Sequence, residues 1–201
     1  MSESIIVIGG GGHARVVLDV LRCSGHTVAG ILDDGLPVGT VVDGAVVLGP
    51  VSAYESYLDH RFLLAIGSNA VRRRLAEQLP VRWHTAVHPR AVLASNAQIG
   101  AGTVIMANAV VNPGAAVGAH CILNTACVVE HDNRIGDFVH LSPRAALGGA
   151  VTIGAGTHVG IGAVVRNHIQ ICGSCVIGAG AAVVKDITES GTYVGVPAKK
   201  K

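Results

Sequence analysis

For half of this chain an aliphatic residue falls at every sixth position. From Val87 through positions 93, 99, 105 and onward to Val183, the beat holds only Val, Leu or Ile, seventeen times without an insertion. Four residues after each beat, from 91 to 181, the side chains are mostly small, and none is aromatic or charged. Glycine often follows the beat directly, at 100, 118, 136, 148, 154, 160 and 178. A large aliphatic, a small residue and a turn describe a coil with short flat sides. The aliphatic fills the interior, the small residue fits near a corner, and glycine permits tight turning. Three hexads make one turn of a triangular prism, so seventeen hexads give between five and six turns with strands stacked in parallel. The period alone does not fix the hand of the coil.

Composition agrees with this filling. The chain is 50% hydrophobic but only 3% aromatic, with 27 glycines among its 201 residues, so Val, Ile, Leu and Ala must make the core. Residues 91–129 contain no Asp, Glu, Lys or Arg, which is long enough for a membrane span. Polar residues and glycines interrupt them with the period of the repeat, so no membrane span is expected. Lys plus Arg total 15 against 13 Asp plus Glu, which leaves no electrostatic footprint for nucleic acid. Arg72-Arg73-Arg74 and the terminal lysines read as solvated faces or tails, and His120 and His168 as exposed turn residues. An odd count of five cysteines and no signal peptide argue for a reduced, cytoplasmic setting. Cys172-Gly173-Ser174-Cys175 has redox spacing, but it falls inside the repeat rather than at the start of a helix.

The first 85 residues read differently. Ile5 to Ile8 is a buried strand, Gly9 to Gly12 a glycine loop, and Ala14 to Cys23 an amphipathic helix. Thr27 to Leu32 is a second strand ending at Asp33-Asp34, and Phe62 to Ile66 a third parallel strand before a helix through Leu79. Gly9-x-Gly11-x-x-Ala14 with an acid about 20 residues on fits a dinucleotide fingerprint. Glycine amides at a helix N-terminus suit any pyrophosphate. A nucleotide-linked sugar, a nicotinamide dinucleotide or a vestigial fold all fit these residues. A nicotinamide enzyme would need a catalytic domain where the repeat stands, which favours the sugar. The expected architecture is therefore α/β. A small Rossmann-like domain (1–85) is followed by a parallel β-helix of hexapeptide repeats (86–187) and a C-terminal tail (188–201).

The repeat resembles the left-handed β-helix acyltransferases. The order G-G-G-G-H, L-D-D, A-I-G-S-N, L-N-T, E-H-D and G-V-P-A-K along the chain narrows the resemblance to the bacterial nucleotide-sugar acetyltransferases. That family includes N-acetyltransferases of the bacillosamine, perosamine and viosamine pathways and sialic acid O-acetyltransferases. The resemblance implies a left-handed coil and a homotrimer with active sites between neighbouring subunits. It also implies acetyl-CoA as co-substrate and a nucleotide sugar, with UDP as the expected carrier. Residue by residue it implies that Gly11, Gly12 and His13 contact diphosphate and sugar, that Asp33 and Asp34 meet the base, and that Gly67 lines the same pocket. His131 would be the general base with Asp132 tuning it, and Asn124 would position substrate or histidine. His140 would meet the thioester end, and Ile161 and Ala179 would touch the cofactor through their backbone. Some members carry Glu at the position of Asp132, and glycine can stand at that of Ala179.

The chemistry fits residues 128–143, where polar groups interrupt the aliphatic beat and read as the catalytic edge of the prism. His131 lies two past Val129, off the interior, and His158 lies one turn above His140. An imidazole accepts a proton at neutral pH, and an adjacent carboxylate fixes its tautomer. The thioester is already activated, so direct attack by the amine needs no covalent intermediate. The expected reaction is N-acetylation of the 4-amine of a nucleotide-linked 4-amino-4,6-dideoxy sugar. Sialic acid O-acetylation is the alternative chemistry, and a non-catalytic nucleotide-binding β-helix the alternative of another class. A zinc hydratase needs histidines five residues apart, and His158 has no partner at 163, so no metal is expected.

Overall fold

The structure is a computed structural model and describes residues 4–201. The front of the chain forms a five-stranded sheet. Its strands are β1 (Ile5–Ile8), β2 (Val28–Leu32), β3 (Val41–Val42), β4 (Ala45–Gly49) and β5 (Arg61–Leu64), in the order β3-β4-β2-β1-β5. All pairs are parallel except β3 with β4. Helix α1 (Gly12–Cys23) buries Ala14, Val17, Leu18, Val20 and Leu21 on one face of the sheet. Helix α2 (Asn69–Gln78) packs through Leu75 on the other face, against Phe62 and Leu64.

From β6 (Ala86–Val87) to β22 (Ala182–Val183), seventeen two-residue strands recur every six residues. Each pairs in parallel with the strand eighteen residues away, as Val110 does with Val128. Three sheets result. Face one begins at Ala86–Val87, face two at Val92–Leu93 and face three at Gln98–Ile99. The second residue of each strand is the beat residue and points inward. The interior is Ile105, Val111, Val117, Leu123, Val129 and their successors, with Ala109, Ala115, Cys121, Cys127 and Ala145 at the corners. Shortening one of these aliphatics to Ala costs about 2–5 kcal/mol. Two strands beyond the coil, β23 (Thr192–Val194) and β24 (Lys199–Lys200), add a hairpin to face one.

Glycine plays a different part from the turning role expected at the position after the beat. From the third hexad on, a left-handed residue lies three past the beat, at Gly102, Asn108, Gly114, His120, Ala126, Asp132 and so on through Gly180, and most of these are not glycine. At Gly100, Gly118, Gly136 and Gly154, stacked at one corner, a β-carbon would press into the backbone of the next coil. Close approach of coil to coil therefore requires glycine there.

The outward positions of the three faces differ. On face one, Ala86, Val104 and Ile122 are buried beneath the front domain. Face three presents Gln98, Ala116, Arg134, Thr152 and Gln170, of which all but the partly buried Ala116 are exposed. Face two presents Val92, Val110, Val128, Ala146, Val164 and Ala182, an apolar ladder whose members all keep some exposure, with Val92 61% and Val164 47% exposed. Among the described residues, no helix is long and apolar enough to cross a membrane.

Candidate active site

The crevice of the front domain opens beyond the ends of β1 and β2. Gly9 holds φ +100, which favours glycine, while a β-carbon on Gly10 would require the end of the Leu36 side chain to move. Gly11 is the N-cap of α1, with no side-chain cap and no acid in the first helical turn. The leading amides of α1, at Gly12 and His13, are thus free of internal carboxylates, which makes this end receptive to an anion. Asp33 ties the loop down. Its Oδ2 accepts the Gly10 N–H at 2.7 Å, and its Oδ1 accepts those of Gly35 and Leu36 at 2.8 and 2.9 Å. Asp34 Oδ1 accepts the Val51 N–H at 2.8 Å. Both aspartates therefore already shape the loops around the crevice.

The front domain is clamped to the prism by Arg72, which is 1% exposed. Its Nε donates to the His120 carbonyl at 2.7 Å. The terminal nitrogens donate to Ile66, Gly67 and Phe138 carbonyls and to Asn69 Oδ1 at 2.9–3.2 Å. Asn69 Nδ2 reaches the Gly156 carbonyl at 2.9 Å. No carboxylate joins this network, and burial pulls the guanidinium down to about 10. The arginine triplet is therefore not simply a solvated face. His120 is also not an exposed turn residue: it is 6% exposed, stacked on Phe138 and edge-on to Trp83. Burial, then Arg72, push its imidazole to about 4 against an opposing pull from Asp137.

Where this clamp meets face one, three histidines gather. The His140 ring lies 4.7 Å from that of His158 at 6° and 6.2 Å from that of His13 at 51°. Asn124 fixes the His140 tautomer. Its Oδ1 accepts the Thr125 N–H at 2.8 Å, so its Nδ2 is the atom that faces His140 Nε2 at 3.2 Å. Nε2 must accept, and the proton sits on Nδ1, which is buried and has no hydrogen-bond partner. Burial, then His158, Arg72 and His13, push His140 to about 3, against a small opposing pull from the Gly67 backbone. Burial and then Arg72 push His13 to about 4 and lower His158. The direction of all three shifts favours the neutral imidazole at pH 7.

His131 stands elsewhere. It lies between Val128–Val129 on face two and Arg134–Ile135 on face three, at the corner opposite face one. Its side chain is 59% exposed, and Nδ1 donates to Asp132 Oδ2 at 2.8 Å. Asp132 occupies the left-handed position of its hexad, φ 61, a conformation Asp tolerates well. Nε2 is left as the acceptor. It sits over Gly149 of the next coil, where a β-carbon would collide with it. The polar stretch 128–143 is thus not one edge of the prism: within one chain its two histidines serve opposite sides.

Ile161 and Ala179 stack one coil apart at the corner between faces one and two, above Asn124, and both are exposed. A cavity of about 540 Å³ opens between α2 and the upper coils, lined by Gly67, Asn69, Arg73, His158 and Ser174 among others. The structure therefore brings together Gly67, His13, Asn124 and His140, with Gly11 and Gly12 at the start of the same helix as His13. It leaves His131 and Asp132 apart from them. One group outside this region, Asp19, Cys23 and His88, has donor atoms within 4.8 Å of one another. His88 Nδ1 accepts the Arg90 N–H at 3.0 Å, however, so its proton sits on Nε2 and the ring is not set to ligate.

Comparison with known proteins fits this geometry. Residues 4–79 match the family described as the PglD N-terminal domain. The UDP-N-acetylbacillosamine N-acetyltransferase of Bacillus subtilis is 42% identical over 113 residues, covering 52% of this chain and about half (51%) of that protein. A histidine-to-asparagine variant of perosamine N-acetyltransferase from Caulobacter crescentus, in complex with CoA and GDP-perosamine, superposes with a TM-score of 0.95. It is 36% identical, with 98% of this chain and 96% of that one covered. The chain belongs to the nucleotide-sugar acetyltransferase family. The acetyltransferase domain of PglB from Neisseria gonorrhoeae FA1090, in complex with acetyl coenzyme A, is similar over 100% of both chains, at 36% identity and a TM-score of 0.94. The prism is thus the left-handed β-helix of these acetyltransferases.

Three residues that the structure places beside the candidate site residues escape a reading of the sequence. Arg72 is hidden in an arginine triplet that looks solvated. Gly149 is one of two adjacent glycines, and the clue that it faces His131 is their spacing of one coil. Ser142 follows a beat residue as Asn124 does, and its pairing with His158 at 2.7 Å needs the folded coil to be seen.

Proposed function

We propose that this enzyme transfers the acetyl group of acetyl-CoA to the 4-amino group of a nucleotide-linked 4-amino-4,6-dideoxy sugar. His131 is the general base. The observation that carries the reading is the His131–Asp132 pair: Nδ1–H is held by the carboxylate, and Nε2 is open at an exposed corner. The neutral amine attacks the thioester carbonyl, and Nε2 takes the proton that the amine loses. Collapse of the tetrahedral intermediate expels the CoA thiolate, which recovers that proton. Base assistance of this kind contributes about 10²- to 10⁴-fold.

Acceptor binding belongs to the opposite side. The uncapped start of α1 at Gly11, Gly12 and His13 suits the diphosphate, with Gly67 beside it and Asp33 and Asp34 at the base end. The relatives named above act on UDP- and bind GDP-linked sugars, and UDP is the carrier proposed here. His140, Ile161 and Ala179 line the path of acetyl-CoA toward the face-two corner. The base corner and the acceptor face of one chain point apart, so a complete site joins the corner of one copy to face one of another. The partly exposed apolar ladder of face two supports the homotrimer that this requires.

The test is thiol release from acetyl-CoA with UDP-, dTDP- and GDP-linked 4-amino-4,6-dideoxy sugars and free sialic acid in parallel. Turnover on one amino sugar, greatest with UDP, is the expected result. Turnover on sialic acid alone would replace N- with O-acetylation, and none on any of them would refute the acceptor assignment.

A further inference from the structure

One coil above the Asn124–His140 pair lies a second pair built the same way. His158 is the register partner of His140, and Ser142 takes the place of Asn124. Ser142 Oγ and His158 Nε2 are hydrogen-bonded at 2.7 Å, as Asn124 Nδ2 and His140 Nε2 are at 3.2 Å, each across sixteen residues. The repeat does not demand this. The outward positions of face one are Ala86, Val104 and Ile122 below the two histidines and Val176 above them. Ser142 is only 6% exposed, and a hydroxyl in such a place is costly unless it is bonded.

The consequence falls on the lower ring. Asn124 holds one edge of His140, while His158 lies flat against one face and His13 leans on it from α1. A ring so held cannot swing about its broad χ2 torsion, so its plane is set by its neighbours.

We infer that His158, steadied by Ser142, is a positioning residue for His140, fixing the plane in which the His140 ring is presented to the reacting substrates. The inference rests on the reading that His140 serves the thioester end of acetyl-CoA. His158 moves no proton in this role; its flat face is what matters. The ionisable groups packed about the stack are His13 from α1 and Arg72 from α2, and both disfavour a charge on His140, as His158 does. A neutral stack is therefore the working form.

The test uses the full-length enzyme and follows loss of thioester absorbance, with kcat and KM measured for acetyl-CoA and for the sugar. His140→Ala is the reference and lowers kcat/KM for acetyl-CoA. His158→Ala lowers the same quantity about tenfold, the scale of a slightly misplaced group, and leaves KM for the sugar unchanged. His158→Phe, which keeps a flat face, recovers most of the loss, whereas His158→Leu, which fills the space without one, does not. Ser142→Ala falls between His158→Phe and His158→Ala. Normal acetyl-CoA kinetics in His140→Ala would remove the underlying reading and the inference with it. A damaged His140→Ala beside a normal His158→Ala would overturn the inference alone. Should His158→Ala fail to fold, equal activity of the Phe and Leu variants would overturn it.

Discussion

His131 and His140 lie nine residues apart in one repeat and have opposite surroundings. His131 is exposed at a corner and bonded to a carboxylate. His140 is partly buried on the face opposite that corner, among other histidines and an arginine, and its pKa is lowered to about 3, chiefly by desolvation. Nine residues are one and a half hexads, so the coil carries the chain from a corner to the opposite face. The same side chain lies exposed beside a carboxylate in one place and is held toward its neutral form in the other. Position on the prism, more than distance along the chain, decides these surroundings, and under the proposed function the two halves of a site meet across two copies.

Predictions that break this contrast begin with the corner. His131→Ala removes the base, and kcat falls by about 10²- to 10⁴-fold with the fold intact, as followed by thiol release and circular dichroism. On the other side, Arg72→Met leaves several buried carbonyls without a donor. It lowers stability by about 3 kcal/mol in urea denaturation, with the site loosened as a consequence. Gly149→Ala places a methyl group where His131 Nε2 lies, shifting the base without deleting it. Its kcat falls by about tenfold to a hundredfold, less than for His131→Ala, while the urea midpoint changes little.

The smallest effect sharpens the contrast through pH. His13 and His140 have folded-state values of about 4 and 3, below the ordinary 6.5 of the unfolded chain. The unfolded chain therefore binds more protons between those values. Stability is fully present above about pH 6.5 and is lost as pH falls toward 4 and then 3. Each of the two adds a slope approaching about 1.4 kcal/mol per pH unit in that window. Denaturation at a series of pH values checks this, and replacing either histidine by Gln makes the profile shallower.

Much of the architecture was legible because one interior position per hexad must be aliphatic, and that constraint repeats without a gap. The stacking of His158 on His140 follows from the same arithmetic. What could not be read depends on contacts between distant segments. The glycines at 100, 118, 136 and 154 answer to the backbone of the neighbouring coil. Arg72 looks like its neighbours Arg73 and Arg74 until the front domain docks and its guanidinium finds the carbonyls of His120 and Phe138. His131 and His140 look like one cluster in the sequence because a corner and its opposite face are so few residues apart.

The most direct test of a site shared between copies is complementation. His131→Ala and His140→Ala chains, each nearly inactive alone, are co-expressed and purified together through different tags. Shared sites predict that the mixed assembly regains activity, with about a third of the sites in a mixed trimer carrying both native histidines. A mixed assembly no more active than its parents would mean that each chain builds its site alone, and would contradict the account.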